Sequence, residues 1–430
     1  MNFVTVLAFK LSFKLGGGML KILFISALTG AALFWSSGVS HAQSVPGPTE
    51  PSHNGGVYYP GTEALRADEI RVTVCGSGMP TVRPKQAAAC FLVELGNGDK
   101  FLFDIGAQSM ARISAMKIPY DYLDKVFIGH LHLDHMADLP SLWISGVKAN
   151  RTFPLRIWGP SGPTPELGTA AMMEHMEKMY AWEVESITGK LDDRGIRIEV
   201  NEFDYKGVNE IIFDENGVVV RSIPAVHAID GAVSFILEWN GMKVAYSSDT
   251  SPTHWWVKHT KGVDLSIHES FAPPVTLIEK QNYSPPFALL LSTLLHTSPG
   301  QFGKIMAETR PRMAVGYHFF NDHDTLPDQL EEIRKVYDGP LAMAQDYMVF
   351  NITKDDIKVR MAVVDEDIWP SPPTRPKVAK DESEETLSQF ILSGDYFMKD
   401  LLTDIWADTV AEFGSDAQLP PGGLAGLGQK

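Results

Sequence analysis

From Glu69 onward, short apolar runs rich in β-branched and aromatic residues alternate with stretches of helical spacing. RVTVC, ACFLVEL, KFLFDIG and KVFIGH come in quick succession, and LRIWG, VVVRSI, VSFILEW, KVAYSSD, DLSIHES and RMAVGYH follow later. Each run is strand-like in length and composition and is bounded by turn-forming or polar residues. Apolar positions at helical spacing predict helices over 166–182 and 299–309. Strands and helices in alternation predict a layered α/β protein. Within the first helix Met172, Met176 and Met179 fall on one face, which reads as a core stripe, with a substrate-facing lid as the second reading.

The two ends break this pattern. Residues 1–42 carry Lys10, Lys14 and Lys21 and no acid, then the apolar run from Ile22 to Phe34, then SSGVSHA. A cationic flank, a short apolar core and small residues at Ser40 and Ala42 predict a secretory signal cleaved after Ala42. The run is short for a bilayer span, so a retained anchor is the second reading and no stable membrane anchor is expected. Met19 is an alternative start. Residues 43–66, rich in Pro, Gly and Ser, read as a surface linker ahead of a main domain over 67–365. Residues 366–415 read as a Pro-rich break and a helical extension. There Leu387, Phe390 and Ile391, then Met398, Leu401, Leu402 and Ile405, take helical spacing on either side of Gly394. These helices are expected to pack on the domain or on a second copy in a homodimer, and 416–430 to form a flexible tail.

Charge and cysteine content narrow the function. The chain holds 37 Lys+Arg against 53 Asp+Glu, a formal charge of −16, and loss of three lysines with the leader would take it to −19. No basic footprint is visible, so the expected partner is a small molecule and not a nucleic acid. Two cysteines exclude both a disulfide scaffold and a cysteine-built zinc cluster. If the strands around Cys75 and Cys90 pair, an exported chain permits a disulfide there; buried thiols are the other reading.

The chemistry concentrates at one strand end. KVFIGH runs into His130-Leu-His132-Leu-Asp134-His135. On extended backbone His130 and His132 project to one side, and a turn can bring Asp134 and His135 to the same point. Imidazoles and a carboxylate converging in this way are the ligands that zinc and similar divalent ions prefer. Four such groups crowd a single ion, so a second ion is expected. His227 in SIPAVHAIDG, Asp249 in VAYSSDT and His318 in MAVGYHFFND each stand just past an apolar run, where a functional loop would begin. His268 reads as a satisfied core histidine, His175 as a helix surface residue, and His254, His259 and His323 as outside the site.

These motifs resemble the metallo-β-lactamase-fold hydrolases. HLHLDH is similar to the HxHxDH signature of that superfamily, and the later His, Asp and His fall in its order. VTVCGSGMP, FLFDIG, SSDT, DLSIHES and HTSPGQ resemble segments of the branch holding tRNase Z and zinc-dependent arylsulfatases, over roughly Arg71 to Val364. LPSLWISG leans toward the arylsulfatase-like members and is also similar to relatives from guanitoxin-type biosynthetic clusters. The resemblance implies a four-layer αββα sandwich, here with a C-terminal helical extension. It implies two divalent cations, zinc first among them, one held by His130, His132 and His227, the other by Asp134, His135 and His318, with Asp249 bridging. It further implies Asp134, His296 and Glu269 as catalytic groups, Glu269 orienting His296 and His296 protonating the leaving group. Ser248 departs from the Gly that the branch usually places before the Asp.

The implied reaction is ester hydrolysis by a hydroxide bridging two cations, acting on sulfate or phosphate esters of a small molecule. Lactone or carboxylic ester hydrolysis on the same ligand set is the alternative, and a non-catalytic exported binding protein is a third reading. Trp255, Trp256 and the apolar stretch from Tyr283 to Leu295 read as core or subunit packing.

Overall fold

A computed structural model describes residues 56–369, 388–392 and 399–414. The predicted leader, the cleavage region and the predicted flexible tail lie outside the described residues.

Two sheets carry the fold. The first holds nine strands in the order Val57–Tyr58, Ile357–Ala362, Met348–Ile352, Ile70–Gly76, Cys90–Leu95, Lys100–Phe103, Lys125–Phe127, Leu155–Pro160 and Ile198–Phe203. The second holds seven: Leu341–Met343, Met313–Tyr317, Leu265–Glu269, Met242–Tyr246, Val233–Trp239, Val218–Pro224 and Glu210–Glu215. All ten apolar runs of the sequence become strands.

The sheets face each other across a core in which Phe91, Phe103 and Phe127 meet Phe235, Tyr246 and Tyr317. Phe103 stacks on Phe127 at 5.3 Å, and Phe91 meets Tyr317 edge-on at 5.1 Å. Alternation then sends Cys90, Leu92 and Leu102 to the opposite face of the first sheet, against Ile113, Leu139, Leu142 and Trp143 of the helices there. On the second sheet Ile223, Ile236 and Ala245 face Trp256, Phe302, Ile305 and Met306. Helix, sheet, sheet, helix is the four-layer αββα sandwich, and strands covered on both faces explain the near-continuous apolar runs.

Three expectations change. The linker over 43–66 is not wholly a linker: Val57–Tyr58 pairs in parallel with Met361 and Ala362, and Tyr58 is buried beneath Arg71 and Arg360. The helix expected over 166–182 is a short 3-10 turn at Pro165–Leu167, then Thr169–Met179, then Ala181–Ile187. Its methionines do not make one core stripe: Met173 and Met176 are buried, whereas Met172 is 36% and Met179 79% exposed. Trp256 is core, whereas Trp255 is exposed, as are Phe287, Leu289, Leu290 and Leu294 of the 283–295 stretch.

Strands Ile70–Gly76 and Cys90–Leu95 pair, placing Gly76 opposite Cys90. Cys75 and Cys90 are buried as free thiols with their sulfurs 2.6 Å apart. In the C-terminal extension the described residues form helices Gln389–Leu392 and Lys399–Phe413, with Phe390 and Ile405 exposed. Among the described residues no helix is long and apolar enough to cross a membrane.

Candidate metal centre

The site lies where strands of both sheets end, most of them members of parallel pairs. Asp104 follows Lys100–Phe103, the HLHLDH segment follows Lys125–Phe127, and His227 follows Val218–Pro224. Asp249 follows Met242–Tyr246, Glu269 closes its own strand, and His318 follows Met313–Tyr317. In layered α/β folds the carboxyl ends of strands gather functional groups in this way, because loops there are free to converge while strands hold their bases.

HLHLDH reaches its shape through one tight turn. His132 is extended, and Leu133–Met136 then forms a single helical turn that swings Asp134 and His135 back toward it. Ile105 donates its backbone N–H to His135 O at 2.8 Å and accepts one from Asp138 at 3.1 Å, clamping the turn from both sides. Gly106 permits this approach, since a Cβ there would stand 2.0 Å from the Asp134 carbonyl oxygen.

All seven residues singled out in the sequence converge as two groups of four. His130, His132, His227 and Asp249 form one; Asp134, His135, His318 and Asp249 form the other; within each, one donor atom per residue lies within 4.8 Å of the rest. Asp249 is common to both. Nε2 of His130 and Nε2 of His227 approach Nδ1 of His132 to 2.9 and 3.2 Å. Nε2 of His318 lies 3.1 Å from Asp134 and 3.3 Å from Asp249, and Nε2 of His135 lies 3.3 Å from Asp249.

Three of the remaining ring nitrogens are tied down from behind. Nδ1 of His135 donates to Asp104 at 2.6 Å, and Nδ1 of His227 donates to the Leu295 carbonyl at 2.7 Å. Nδ1 of His130 meets Ser248 Oγ at 3.1 Å. Fixing one nitrogen as a donor leaves the other with its lone pair turned inward, the tautomer a cation requires. Nε2 of His135 and Oδ1 of Asp249 are buried and have no hydrogen-bond partner. Buried polar atoms aimed at a common point, in a set of imidazoles and carboxylates, fit two divalent cations.

Electrostatics agree with that fit. Burial pushes His227 down to about 4, and burial together with His135 drives His130 well below the usual imidazole range, so both rest neutral. Burial opposes charge on Asp249, yet His318 and His135 hold it well below the usual carboxylate range. His135 is raised despite burial because Asp249, Asp134 and Asp104 surround it. A carboxylate field that strong retains a proton where a cation would otherwise sit.

Beside the two groups, Glu269 accepts from the Thr250 N–H at 2.5 Å and meets Nδ1 of His296 at 2.9 Å, and burial together with Asp249 pushes its pKa well above the usual carboxylate range. Phe271 lies flat on the His296 ring, centroids 4.0 Å apart and planes within 5°. His296 is 3.8 Å from Asp249. His268 is buried with its Nδ1 donating to the Glu269 carbonyl. His175, His254 and His323 are exposed and His259 is half-buried.

The sequence reading missed Asp104 and Tyr246. Asp104 takes Gly129 N–H at 2.7 Å on one oxygen, and His135 at 2.6 Å and the Tyr246 hydroxyl at 2.5 Å on the other. KFLFDIG reads as a strand run and as similar to a family segment, with no role for its acid; the signal is an acid placed directly at a strand end.

A cavity of about 280 Å³ opens beside His130, His132 and His227. Leu131, Leu167, Met172 and Ile229 line it, with Glu166 and Asp230 the acids among the lining.

Comparison with known proteins places this geometry. A family model described as anti-Pycsar protein Apyc1 matches residues 70–270. Ribonuclease Z of Mycolicibacterium gilvum is 28% identical over 206 residues, 46% of this chain and 68% of the relative. Ribonuclease Z of Anoxybacillus flavithermus is 24% identical over 311 residues, 65% of this chain and 96% of the relative. The chain is similar to the metallo-β-lactamase-fold hydrolases of the tRNase Z-like branch. Among solved structures, the metallo-β-lactamase-fold protein YhfI of Bacillus subtilis superposes with a TM-score of 0.49 at 18% identity, covering 66% of this chain and all of that one. The short form of human tRNase Z gives 0.48 at 19% identity, covering 65% of this chain and 98% of that one.

The relatives correct one expectation. A metallo-β-lactamase-fold chain whose relatives are ribonucleases cannot have nucleic acid struck from its partners on net charge. Formal charge sums a whole surface, whereas a cation centre sets the potential where an ester would bind. The chain is a metal-dependent hydrolase.

Proposed function

We propose that the protein hydrolyses phosphate or sulfate esters at a centre holding two divalent cations, zinc first among them. The observation that carries this reading is Asp249: one carboxylate common to two groups of donors, with His130 and His227 of one group and His135 of the other held from behind at Nδ1. His130, His132 and His227 would hold one cation, Asp134, His135 and His318 the other. When bound, such a pair lowers the pKa of water and neutralises charge on a tetrahedral or trigonal-bipyramidal oxyanion.

The chain's own residues supply the remaining steps. Burial opposes ionisation of Asp134, but His135 and His318 hold it well below the usual carboxylate range, an anion that can accept a hydrogen bond from the attacking water and orient it. Burial sets His296 down at about 3, so the ring rests neutral. An anionic ester beside it favours the imidazolium, and Glu269, which burial and Asp249 push well above the usual carboxylate range, holds Nδ1 in a hydrogen bond while Nε2 delivers a proton to the leaving oxygen. Phe271 holds the ring plane during the transfer.

The apolar lining of the neighbouring cavity supports an ester bearing a compact apolar or aromatic group. The cationic, acid-free start of the chain and its short apolar core support export with cleavage after Ala42, leaving Gln43 as the first residue.

The deciding experiment compares bis-aryl phosphate, aryl sulfate, lactone and precursor-tRNA substrates with purified protein before and after chelation. Turnover of the aryl phosphate or sulfate that chelation abolishes and zinc restores is the expected result. A lactone-only or RNA-only profile would overturn the substrate class, and a metal-independent one the mechanism.

A further inference from the structure

Ser248 sits immediately before the shared carboxylate in a conformation that side chains avoid. Its φ is +50°, in the left-handed region where a Cβ crowds its own backbone and Gly is the ordinary occupant. The residue is wholly buried, so the conformation is imposed from all sides. The serine side chain has a use there. Oγ lies 3.1 Å from Nδ1 of His130 and 3.3 Å from Oδ2 of Asp104. That same Oδ2 accepts from Nδ1 of His135 at 2.6 Å.

A hydroxyl has one proton to give and lone pairs to offer. Giving its proton to the carboxylate of Asp104 leaves a lone pair for the N–H of His130. The direction of the chain is therefore settled: His130 Nδ1–H to Ser248, Ser248 O–H to Asp104, and His135 Nδ1–H to the same Asp104. Each ring is thereby left with an Nε2 lone pair facing its own group. The neighbouring strand end is cut to admit the hydroxyl. A Cβ at Gly129 would stand 2.2 Å from Ser248 Oγ and 2.4 Å from its Cβ. Gly at 129 and Ser at 248 are thus complementary in space.

We infer that Ser248 is a positioning residue that joins the backs of the two cation sites, setting the tautomer of His130 and tying it through Asp104 to His135. The strained backbone is retained because the hydroxyl it carries orients a ligand. This inference rests on the reading that His130 and His135 are ligands.

The test uses the full-length protein prepared metal-free, with Ser248→Gly and Ser248→Ala. Zinc binding is read by competition with a chromophoric chelator, cobalt(II) by its visible spectrum, and the metal-free proteins by thermal melting. Outer partners of ligating histidines are worth on the order of 10- to 100-fold in affinity. Both variants are expected to bind one of the two cations about tenfold or more weakly, with an altered cobalt spectrum. Metal-free Ser248→Gly is expected to melt at or above the wild type, since backbone strain is relieved, which separates the effect from general damage. Wild-type affinity for both cations in both variants would overturn the role of Ser248 while leaving the centre intact. A wild-type protein that binds no cation would overturn the centre itself, and this inference with it. A fall in metal-free melting that accounts for weaker binding in both variants would assign Ser248 to structure alone and overturn the proposal.

Discussion

Glu269 Oε2 lies 2.9 Å from Nδ1 of His296, and this hydrogen bond leaves Nε2 as the working atom of that ring. Replacing His296 by Ala is expected to lower kcat by about 10²- to 10⁴-fold for esters with poor leaving groups. Esters whose leaving groups depart unaided should lose far less, and cation content should stay unchanged. A uniform loss across leaving groups would remove His296 from proton delivery. Glu269→Gln should follow the same leaving-group trend with a smaller loss.

Asp104 gathers three side-chain donors on one oxygen, from His135, Tyr246 and Ser248. Asp104→Asn removes the charge and one acceptor while keeping the shape. Cation affinity is expected to fall about 10- to 100-fold. Stability should drop by about 1–3 kcal/mol as buried donors lose their partner. Chelator competition and chemical denaturation check the two effects separately, and unchanged affinity would contradict a role for Asp104 behind the centre.

Ala171 and Met172 line the cavity beside His132. Ala171→Trp should fill it, raising KM for aryl esters by tenfold or more while cation content holds. If KM for aryl and small alkyl esters moves alike, the cavity does not receive the aryl group.

Glu94 provides a pH test remote from the centre. Burial by itself would raise its pKa, but Lys100 at 2.8 Å and Arg71 at 3.8 Å more than offset that and lower it. A lowered carboxylate stabilises the fold in full above the ordinary Glu value of about 4.3. That contribution disappears as pH falls through the lower folded value. Melting curves of Glu94→Gln should therefore lie below the wild type at neutral pH and converge with it in acid. Parallel curves throughout would show that the pair contributes nothing.

The sequence reached far into this protein because its information is local in two respects. Buried strands covered on both faces must be apolar throughout, so all ten runs were legible, as was the helix Pro299–Thr309, with its Ser298 and Gln301 capping box. Donors on one strand-turn-helix segment show as spacing, so His130, His132, Asp134 and His135 could be read together. His227, Asp249 and His318 were legible as residue types at strand ends. Edge strands were not: Ile198–Phe203 and Glu210–Glu215 are half-exposed and mixed in polarity, which leaves them without a distinct run.

What stands behind the donors was decided by tertiary structure alone. Asp104 and Tyr246 are 142 positions apart, and Ser248 and Asp104 144 apart, so no spacing announces their contacts. Ser248 appeared as a departure in a turn; in the fold it keeps the turn and adds a hydroxyl between two ligating rings. Met172 had the spacing of a core residue, and only packing shows that it faces a cavity. Sequence determines which groups can ligate, donate or be buried, since that is side-chain chemistry. Direction, tautomer and shared geometry depend on distances between strands far apart in the chain, and only the folded sheets set those.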